Sequence, residues 1–268
     1  MIVKLSTDNG FCGGIKRAIA IAESNPGAVV IGDIIHNPQE IARLARDFNV
    51  TTQDDISCLV AGQTVIVRPH GIAKQIEQTL CDRGVNLIDA TCPKVKAIHH
   101  KVQELDAQGY RIILLGDANH AEVKGIVSYA TCPVIVVKNK SELPEMPDRK
   151  IALLSQTTKD ERDLLEIHAH LPQAELHNTI CPATAEKHKA TLDLARQVDI
   201  LIVVGGRHSS NTNLLLEIAK PYCDAYLVEN SSQIDLKWFT DKKVCGLTSG
   251  SSTPDYSLQE VKERLEAI

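Results

Sequence analysis

Three cysteines, Cys12, Cys92 and Cys181, share one sequence context, since each directly precedes a stretch with helical character. They lie 80 and 89 residues apart. Helix starts favour the thiolate form of cysteine, which is the form that binds metals. Three cysteines that met at one point would bind three irons of a 4Fe–4S cluster and leave the fourth iron open for catalysis. Taken singly, each of these cysteines is more simply interpreted as a buried small hydrophobic residue. Zinc is the alternative to the iron–sulfur cluster.

A second group of residues follows strand-like runs and precedes probable helices. Backbone N–H groups at helix starts bind anions, and imidazole or hydroxyl donors strengthen that binding. These residues therefore predict a phosphate-binding surface, although each alone favours a helix cap or a structural histidine. They are His36, His70, His120, Ser209, Ser210 and Asn211, together with Ser252 in a hydroxyl-rich loop.

Glu122 is the one carboxylate that the sequence places at these loop tips. In a pocket without water it would deliver a proton, with Thr157 as a relay. The alternative is an exposed glutamate that stabilises a helix start through the helix dipole.

Composition limits the partners and the compartment. The net charge of −5 and the 3% aromatic content of the 268 residues argue against nucleic acid or anionic membrane as a partner. We see no signal peptide and no run near the roughly 18 apolar residues of a membrane span. We therefore expect a cytoplasmic protein whose eight cysteines are not in disulfides. Five of them lack the helix-start context and are predicted to be buried small side chains: Cys58, Cys81, Cys132, Cys223 and Cys245.

The elements that must position these residues alternate along the chain, with short β-branched runs between helix-length amphipathic segments. Nearly continuous apolar runs are typical of parallel strands buried on both faces, so we predict an α/β protein with parallel sheets. The predicted strands are Ala28–Gly32, Thr64–Arg68, Arg111–Leu115, Pro133–Val137, Lys150–Leu154, Asp199–Val204, Ala225–Val228 and Lys243–Thr248. The predicted helices include Gly14–Glu23, Lys94–Ala107, Thr184–Arg196 and Asn213–Lys220.

A weak repeat relates the three cysteines to the polar loops. His36, His120 and His208 lie 24, 28 and 27 residues beyond their cysteines, and His70, Thr157 and Ser252 form a later set. The repeat predicts three small α/β units around a pseudo-threefold axis, with ligands at the carboxyl ends of the strands. The predicted units are 1–90 with Cys12, 91–179 with Cys92 and 180–268 with Cys181, and the N-terminal strand is a candidate to join the third.

Nine short motifs, in order along nearly the whole chain, resemble those of the 4-hydroxy-3-methylbut-2-enyl diphosphate reductases (the LytB family) of the non-mevalonate isoprenoid pathway. Serines at 249 and 251 stand where that family often has alanine. The motifs are Gly10-Phe-Cys12, Ile35-His-Asn-Pro38, His70-Gly71, Asp89-Ala-Thr-Cys-Pro93, Asn119-His-Ala-Glu-Val123, Gln156-Thr-Thr158, Asn178-Thr-Ile-Cys181, Ser209-Ser-Asn-Thr212 and Thr248-Ser-Gly-Ser-Ser-Thr-Pro254.

The resemblance implies a trefoil of three α/β domains around a 4Fe–4S cluster held by Cys12, Cys92 and Cys181. It implies Glu122 as the proton source, assisted by Thr157 and His120. Ferredoxin or flavodoxin would supply electrons, and the products would be isopentenyl and dimethylallyl diphosphate. The diphosphate would be held by His36, His70, His120, Thr157, Ser209, Ser210, Asn211 and Ser252.

Two other readings of the residues stay open at this point. A zinc-dependent hydrolase would use the cysteines and a bound water on a phosphate ester. A non-enzymatic iron–sulfur sensor or phosphometabolite-binding protein would have no use for Glu122 and Thr157 beside an open iron.

Overall fold

The computed structural model describes residues 1–145 and 150–268. Within these ranges the chain forms twelve strands and nine α-helices. The strands are β1 Ile2–Leu5, β2 Val29–Ile31, β3 Thr51–Gln53, β4 Thr64–Val67, β5 Asn86–Asp89, β6 Arg111–Leu115, β7 Ile135–Val137, β8 Ile151–Ser155, β9 Glu175–Leu176, β10 Ile200–Val204, β11 Asp224–Val228 and β12 Val244–Ser249. The helices are α1 Gly13–Glu23, α2 Pro38–Phe48, α3 Lys74–Asp82, α4 Pro93–Ala107, α5 Ala121–Val127, α6 Glu161–His170, α7 Pro182–Ala195, α8 Ser210–Ala219 and α9 Asp255–Glu266.

The strands form three four-stranded sheets, with orders β3-β2-β4-β5, β7-β6-β8-β9 and β11-β10-β12-β1. Every strand pair is parallel. The predicted α/β class with parallel sheets is therefore confirmed, and three such sheets are what a trefoil of α/β domains requires. The two central strands of the sheets are β2 and β4, β6 and β8, and β10 and β12, so the same pattern recurs in each sheet. The last place in the third sheet is taken by the N-terminal strand, in which Ile2 pairs with Val244.

The sheet of β6 and β8 shows why the continuous apolar runs are needed. Successive side chains of a strand point to opposite faces, so a strand covered on both faces must be apolar throughout. Ile113 and Leu153 face one core, which includes Leu164 of α6. Leu114 and Leu154 face the other core, which helices α4 and α5 complete. Both faces of this sheet are therefore covered by helices, and the loops after the strands remain available to bind a ligand.

Contacts group the chain into two compact units. The first comprises Met1–Lys16, Ile35–Arg43 and Pro182–Ile268, and it holds the β11-β10-β12-β1 sheet. The second comprises Arg17–Ile34 and Leu44–Cys181, and it holds the other two sheets. The predicted division into three units at residues 90 and 179 stays a prediction. Over residues 1–145 and 150–268, none of the helices has the length and apolar character to span a membrane.

Candidate active site

The predicted polar residues follow the central strands at matching positions. His36, His120 and Ser209 each lie five residues beyond the last residue of β2, β6 and β10, respectively. Ser209 therefore takes the place in the repeat that the sequence offsets assigned to His208. His208 is exposed, whereas Ser209 is buried at the start of α8. His70, Thr157 and Ser252 follow the neighbouring strands β4, β8 and β12, at three, two and three residues beyond the strand ends.

Glu122 is buried, and its carboxyl group accepts two hydrogen bonds from Thr157. It lies at the start of α5 and is 2% exposed. The backbone N–H of Thr157 donates to Glu122 Oε1 at 2.7 Å, and the Thr157 hydroxyl donates to Oε2 at 2.7 Å. The alternative of an exposed helix-start glutamate is therefore wrong. The β8–α6 loop presents both donors because Thr157 follows directly on the buried residues Ser155 and Gln156.

Burial controls the protonation of Glu122. Loss of water around the carboxyl group raises the pKa of Glu122 from its ordinary value of 4.5, because burial penalises the charged form. The two hydrogen bonds from Thr157 act in the opposite direction, since they favour the carboxylate. A buried acid with a raised pKa keeps its proton closer to neutral pH than an exposed one, which suits proton delivery.

His120 is held with a defined acceptor nitrogen. It caps the start of α5, where its Nδ1 accepts a hydrogen bond from the backbone N–H of Glu122 at 3.2 Å. A neutral imidazole with Nδ1 as acceptor carries its proton on Nε2, so that nitrogen is the donor. The ring of His70 meets the ring of His120 edge-on, with centroids 5.6 Å apart. The predicted residues His70, His120, Glu122 and Thr157 thus lie close together in the second compact unit.

Gly71 sets the turn that presents His70. Its φ of +76° lies in the left-handed region, and its backbone N–H donates to the carbonyl of Arg68 at 2.9 Å. A Cβ at this position would lie 2.9 Å from Cε1 of the His99 ring. His99 is itself fixed by stacking on Tyr129, with centroids 4.2 Å apart. The turn therefore requires glycine for both backbone and packing reasons.

In the first compact unit, the loops after β10 and β12 meet through their side chains. Ser209 caps α8 by accepting a hydrogen bond from the N–H of Thr212 at 3.3 Å. Asn211 is 4% exposed, and its Nδ2 donates to the Ser251 hydroxyl at 3.4 Å. Its Oδ1 is buried without a hydrogen-bond partner among the described residues. The predicted residue Ser252 is also buried in this group.

His36 joins the same group of loops through its backbone. The Cα of Gly206 lies against the carbonyl of His36, and any Cβ at Gly206 would overlap that carbonyl oxygen. The glycine after β10 thus permits the His36 loop to approach the start of the Ser209 loop. Apart from the pair of glycines at 205 and 206, no feature of the sequence indicates this contact.

Each of the three predicted cluster cysteines lies at a helix start and is half-buried. Cys12 precedes α1, Cys92 caps α4 and Cys181 precedes α7. Their backbone N–H groups bond to the strand-end loops: Cys12 to the carbonyl of Ser251 at 3.3 Å, Cys92 to Pro69 at 3.0 Å and Cys181 to Thr157 at 3.0 Å. Cys12 lies in the first compact unit and the other two in the second, and their convergence stays a prediction.

All eight cysteines lie among the described residues, and none of them forms a disulfide. The prediction that the five other cysteines are buried is wrong for Cys58, Cys81 and Cys132, which are exposed. Cys58 ends the 3₁₀ helix Ile56–Cys58, Cys81 lies on α3 next to the buried Leu80, and Cys132 lies in the loop before β7. Cys245 is fully buried in β12, as predicted.

Comparison with known proteins gives matches over the full chain. The model of the LytB protein family matches residues 3–266. A Helicobacter pylori (strain P12) relative named 4-hydroxy-3-methylbut-2-enyl diphosphate reductase is 47% identical over 274 residues, covering 100% of both chains. A Wolinella succinogenes relative of the same name is 42% identical and covers 99% of each chain.

Two solved structures are also similar. One is that of (E)-4-hydroxy-3-methyl-but-2-enyl diphosphate reductase, described as the terminal enzyme of the non-mevalonate pathway, with 34% identity, a TM-score of 0.72 and 100% of each chain covered. The other is the E-1-hydroxy-2-methyl-but-2-enyl-4-diphosphate reductase of Plasmodium falciparum. It is 28% identical with a TM-score of 0.93, over 98% of this chain and 87% of the other.

Parallel sheets with a buried acid and hydroxyl at their carboxyl ends are typical of α/β enzymes, in which the strand-end loops form the active site. The full-length matches then fix the family. The chain belongs to the LytB family, and it is a reductase of that family.

Proposed function

We propose that the protein removes the hydroxyl group of (E)-4-hydroxy-3-methylbut-2-enyl diphosphate by reduction, giving isopentenyl and dimethylallyl diphosphate. Two electrons and two protons enter, the C–O bond breaks, and the hydroxyl leaves as water. The observation that carries this proposal is the buried Glu122–Thr157 pair in a chain of this reductase family, because such a reaction needs a proton source shielded from solvent.

Glu122 supplies a proton in this scheme. Its raised pKa favours the protonated form, and Thr157 holds both carboxyl oxygens in one orientation. The Thr157 hydroxyl is both donor and acceptor, so it can pass the proton from Glu122 to the leaving oxygen. His120 adds a donor at Nε2, since its Nδ1 accepts the bond from Glu122 N–H.

The diphosphate is bound by neutral donors of the strand-end loops. Asn211 supports this assignment, because its buried Oδ1 has no partner among the described residues. Exchanging the amide O and N positions lets the Ser251 hydroxyl donate to Oδ1 and leaves Nδ2 as a donor for a phosphate oxygen. The proposed ligands are His36, His70, His120, Thr157, Ser209, Ser210, Asn211 and Ser252.

The proposed cofactor is one 4Fe–4S cluster held by Cys12, Cys92 and Cys181. Three half-buried cysteines at helix starts, none of them in a disulfide, fit this group, because the helix dipole stabilises the negative charge of a thiolate. When bound, the cluster supplies a Lewis-acidic iron and single electrons. The proposed donor of those electrons is ferredoxin or flavodoxin.

Replacing Thr157 by valine is expected to lower kcat about 10- to 100-fold, the scale of a lost hydrogen bond to a carboxyl group. The hydroxyl lowers the pKa of Glu122, so its removal raises that pKa further. The fall in rate with rising pH, which follows deprotonation of Glu122, should therefore move to higher pH. Steady-state rates of Thr157→Val and Thr157→Ser across pH test this, and Thr157→Ser should stay within a few-fold of wild type. An unchanged pH profile in Thr157→Val would show that the Thr157 hydroxyl does not influence the protonation of Glu122 during turnover.

Anaerobic purification tests the function as a whole. The protein should be brown, hold iron and sulfide near four per chain, and consume the allylic diphosphate when a strong reductant is present. A colourless protein with one zinc that hydrolyses phosphate esters would instead support the hydrolase. A brown protein that binds the diphosphate without turnover would support a sensor.

A further inference from the structure

Lys187 is a charged side chain buried where an apolar one would normally lie. It lies on α7 and is 1% exposed, and it is the largest of the fully buried side chains among the described residues. It shares its helix face with the buried residues Thr184, Thr191 and Leu194, at helical spacing. Lysine is rarely buried without a partner, because removing an ammonium group from water costs free energy.

The partner of Lys187 is Asp8, in the loop between β1 and α1. Lys187 Nζ donates to the main-chain oxygen of Asp8 at 3.2 Å and to its Oδ1 at 3.3 Å. The Asp8 side chain is 38% exposed, so solvent screens the pair. A hydrophobic residue of similar volume often stabilises a fold as well as a buried ion pair does. Fold stability alone therefore does not account for this lysine.

The loop that Lys187 holds leads directly to Cys12, four residues after Asp8. Two further contacts anchor it: Gly10 N–H donates to the Ser249 hydroxyl at 2.8 Å, and Cys12 N–H donates to the Ser251 carbonyl at 3.3 Å. Lys187 and Asp8 are the anchor at the beginning of the loop. All of these residues belong to the first compact unit.

Cys12 also lies within electrostatic range of the amine. Burial lowers the pKa of Lys187, and the negative charges of Asp8 and Cys12 act in the opposite direction. Lys187 is 1% exposed and Cys12 is half-buried, so water screens the charge of Lys187 toward Cys12 less than it would screen that of a surface lysine. The buried ammonium thus faces the cysteine loop both as a hydrogen-bond donor and as a charge.

We propose that Lys187 is a positioning residue for Cys12, which fixes the Asp8–Cys12 loop and places one positive charge beside the cluster. The inference rests on the proposed function, which makes Cys12 a cluster ligand. Contacts behind a metal ligand orient that ligand, and nearby charge sets the reduction potential of an iron–sulfur cluster.

The test compares Lys187→Met, Lys187→Arg and a control, Lys262→Met, in the full-length protein reconstituted anaerobically. Lys262 is a helical lysine of the same unit that pairs with Glu266 near the surface. In Lys187→Met we expect cluster loss to a chelator about 10-fold faster than in wild type, and a more negative midpoint potential. Lys187→Arg should restore both properties, and Lys262→Met should match wild type.

Thermal unfolding of the apoprotein separates positioning from a structural role. The Tm of apo Lys187→Met should equal or exceed that of wild type, because methionine fills the site without a buried charge. The Asp8→Asn/Lys187→Met double variant should lose its cluster no faster than Lys187→Met alone, since both changes break one anchor. An unchanged loss rate and potential in Lys187→Met would overturn the inference while leaving the proposed function standing. A lowered apoprotein Tm without rescue by arginine would also overturn it, and a wild-type chain that binds no cluster would overturn both.

Discussion

Changing Glu122 to glutamine is expected to lower kcat by about 10²- to 10⁴-fold, the contribution of a positioned general acid. The substitution keeps the shape of the site: Oε1 of glutamine can still accept from Thr157 N–H, and its amide can donate to the Thr157 hydroxyl. Cluster content and KM should therefore stay near wild type while the proton source is lost. Steady-state kinetics with a chemical reductant, alongside iron analysis, measure both quantities.

The matched control is Glu161→Gln, which changes an exposed glutamate at the start of α6 in the same unit. It should leave the rate unchanged, because Oε1 of glutamine can still accept the hydrogen bond that Asn178 Nδ2 donates to Glu161 Oε1, and the exposed carboxylate otherwise contributes to the helix dipole. Turnover of Glu122→Gln within a few-fold of wild type would remove Glu122 from the reaction.

The protonation of Glu122 also has a consequence for stability. Burial raises the folded-state pKa above 4.5, so the folded protein holds this proton more tightly than the unfolded chain. The contribution of Glu122 to the free energy of unfolding is complete below pH 4.5 and is lost as pH rises through the raised pKa. Glutamine has no such dependence, so the stability difference between the two apoproteins should change with pH in that window.

The sequence predicted the elements that are buried on both sides. Strands β6, β8 and β10 appear as continuous apolar runs because helices cover both faces of their sheets. It did not predict β3, β5 and β9. These strands have two to four residues, lie at sheet edges and are partly exposed. Their side chains carry little pattern, because edge strands are defined by backbone pairing with a neighbour.

The contacts around the site residues could not be predicted from the sequence. Glu122 looks like an ordinary helix-start glutamate, and the hydrogen bonds to its carboxyl group come from Thr157, 35 residues away. The serines at 249 and 251, which read as substitutions for alanine, make the contacts to Gly10 and Asn211. Lys187 did leave a signal, since it occupies the buried face of α7 at the spacing of Thr184 and Thr191. A lysine at the spacing of residues that face the core indicates a buried interaction, although the pattern does not identify the partner.

Replacing Cys12 by serine is expected to abolish stable cluster binding, since serine hydroxyl is a poor substitute for a thiolate on iron. Iron and sulfide should fall from about four per chain to a small fraction after anaerobic reconstitution and desalting. Because Cys12 is half-buried and its N–H bond to Ser251 involves only the backbone, the loop itself should persist. The apoprotein Tm should therefore match that of wild type. The loss of the cluster would then be due to the missing sulfur ligand and not to unfolding.

Cys132→Ser supplies the control, because Cys132 is an exposed thiol in a loop and has no predicted role. It should bind iron, absorb visible light and turn over as wild type does. If iron bound to thiols at random, loss of either cysteine would lower the iron content equally. A difference in iron content between Cys12→Ser and Cys132→Ser therefore indicates a defined set of ligands. Full cluster content and activity in Cys12→Ser would place the third ligand elsewhere in the chain.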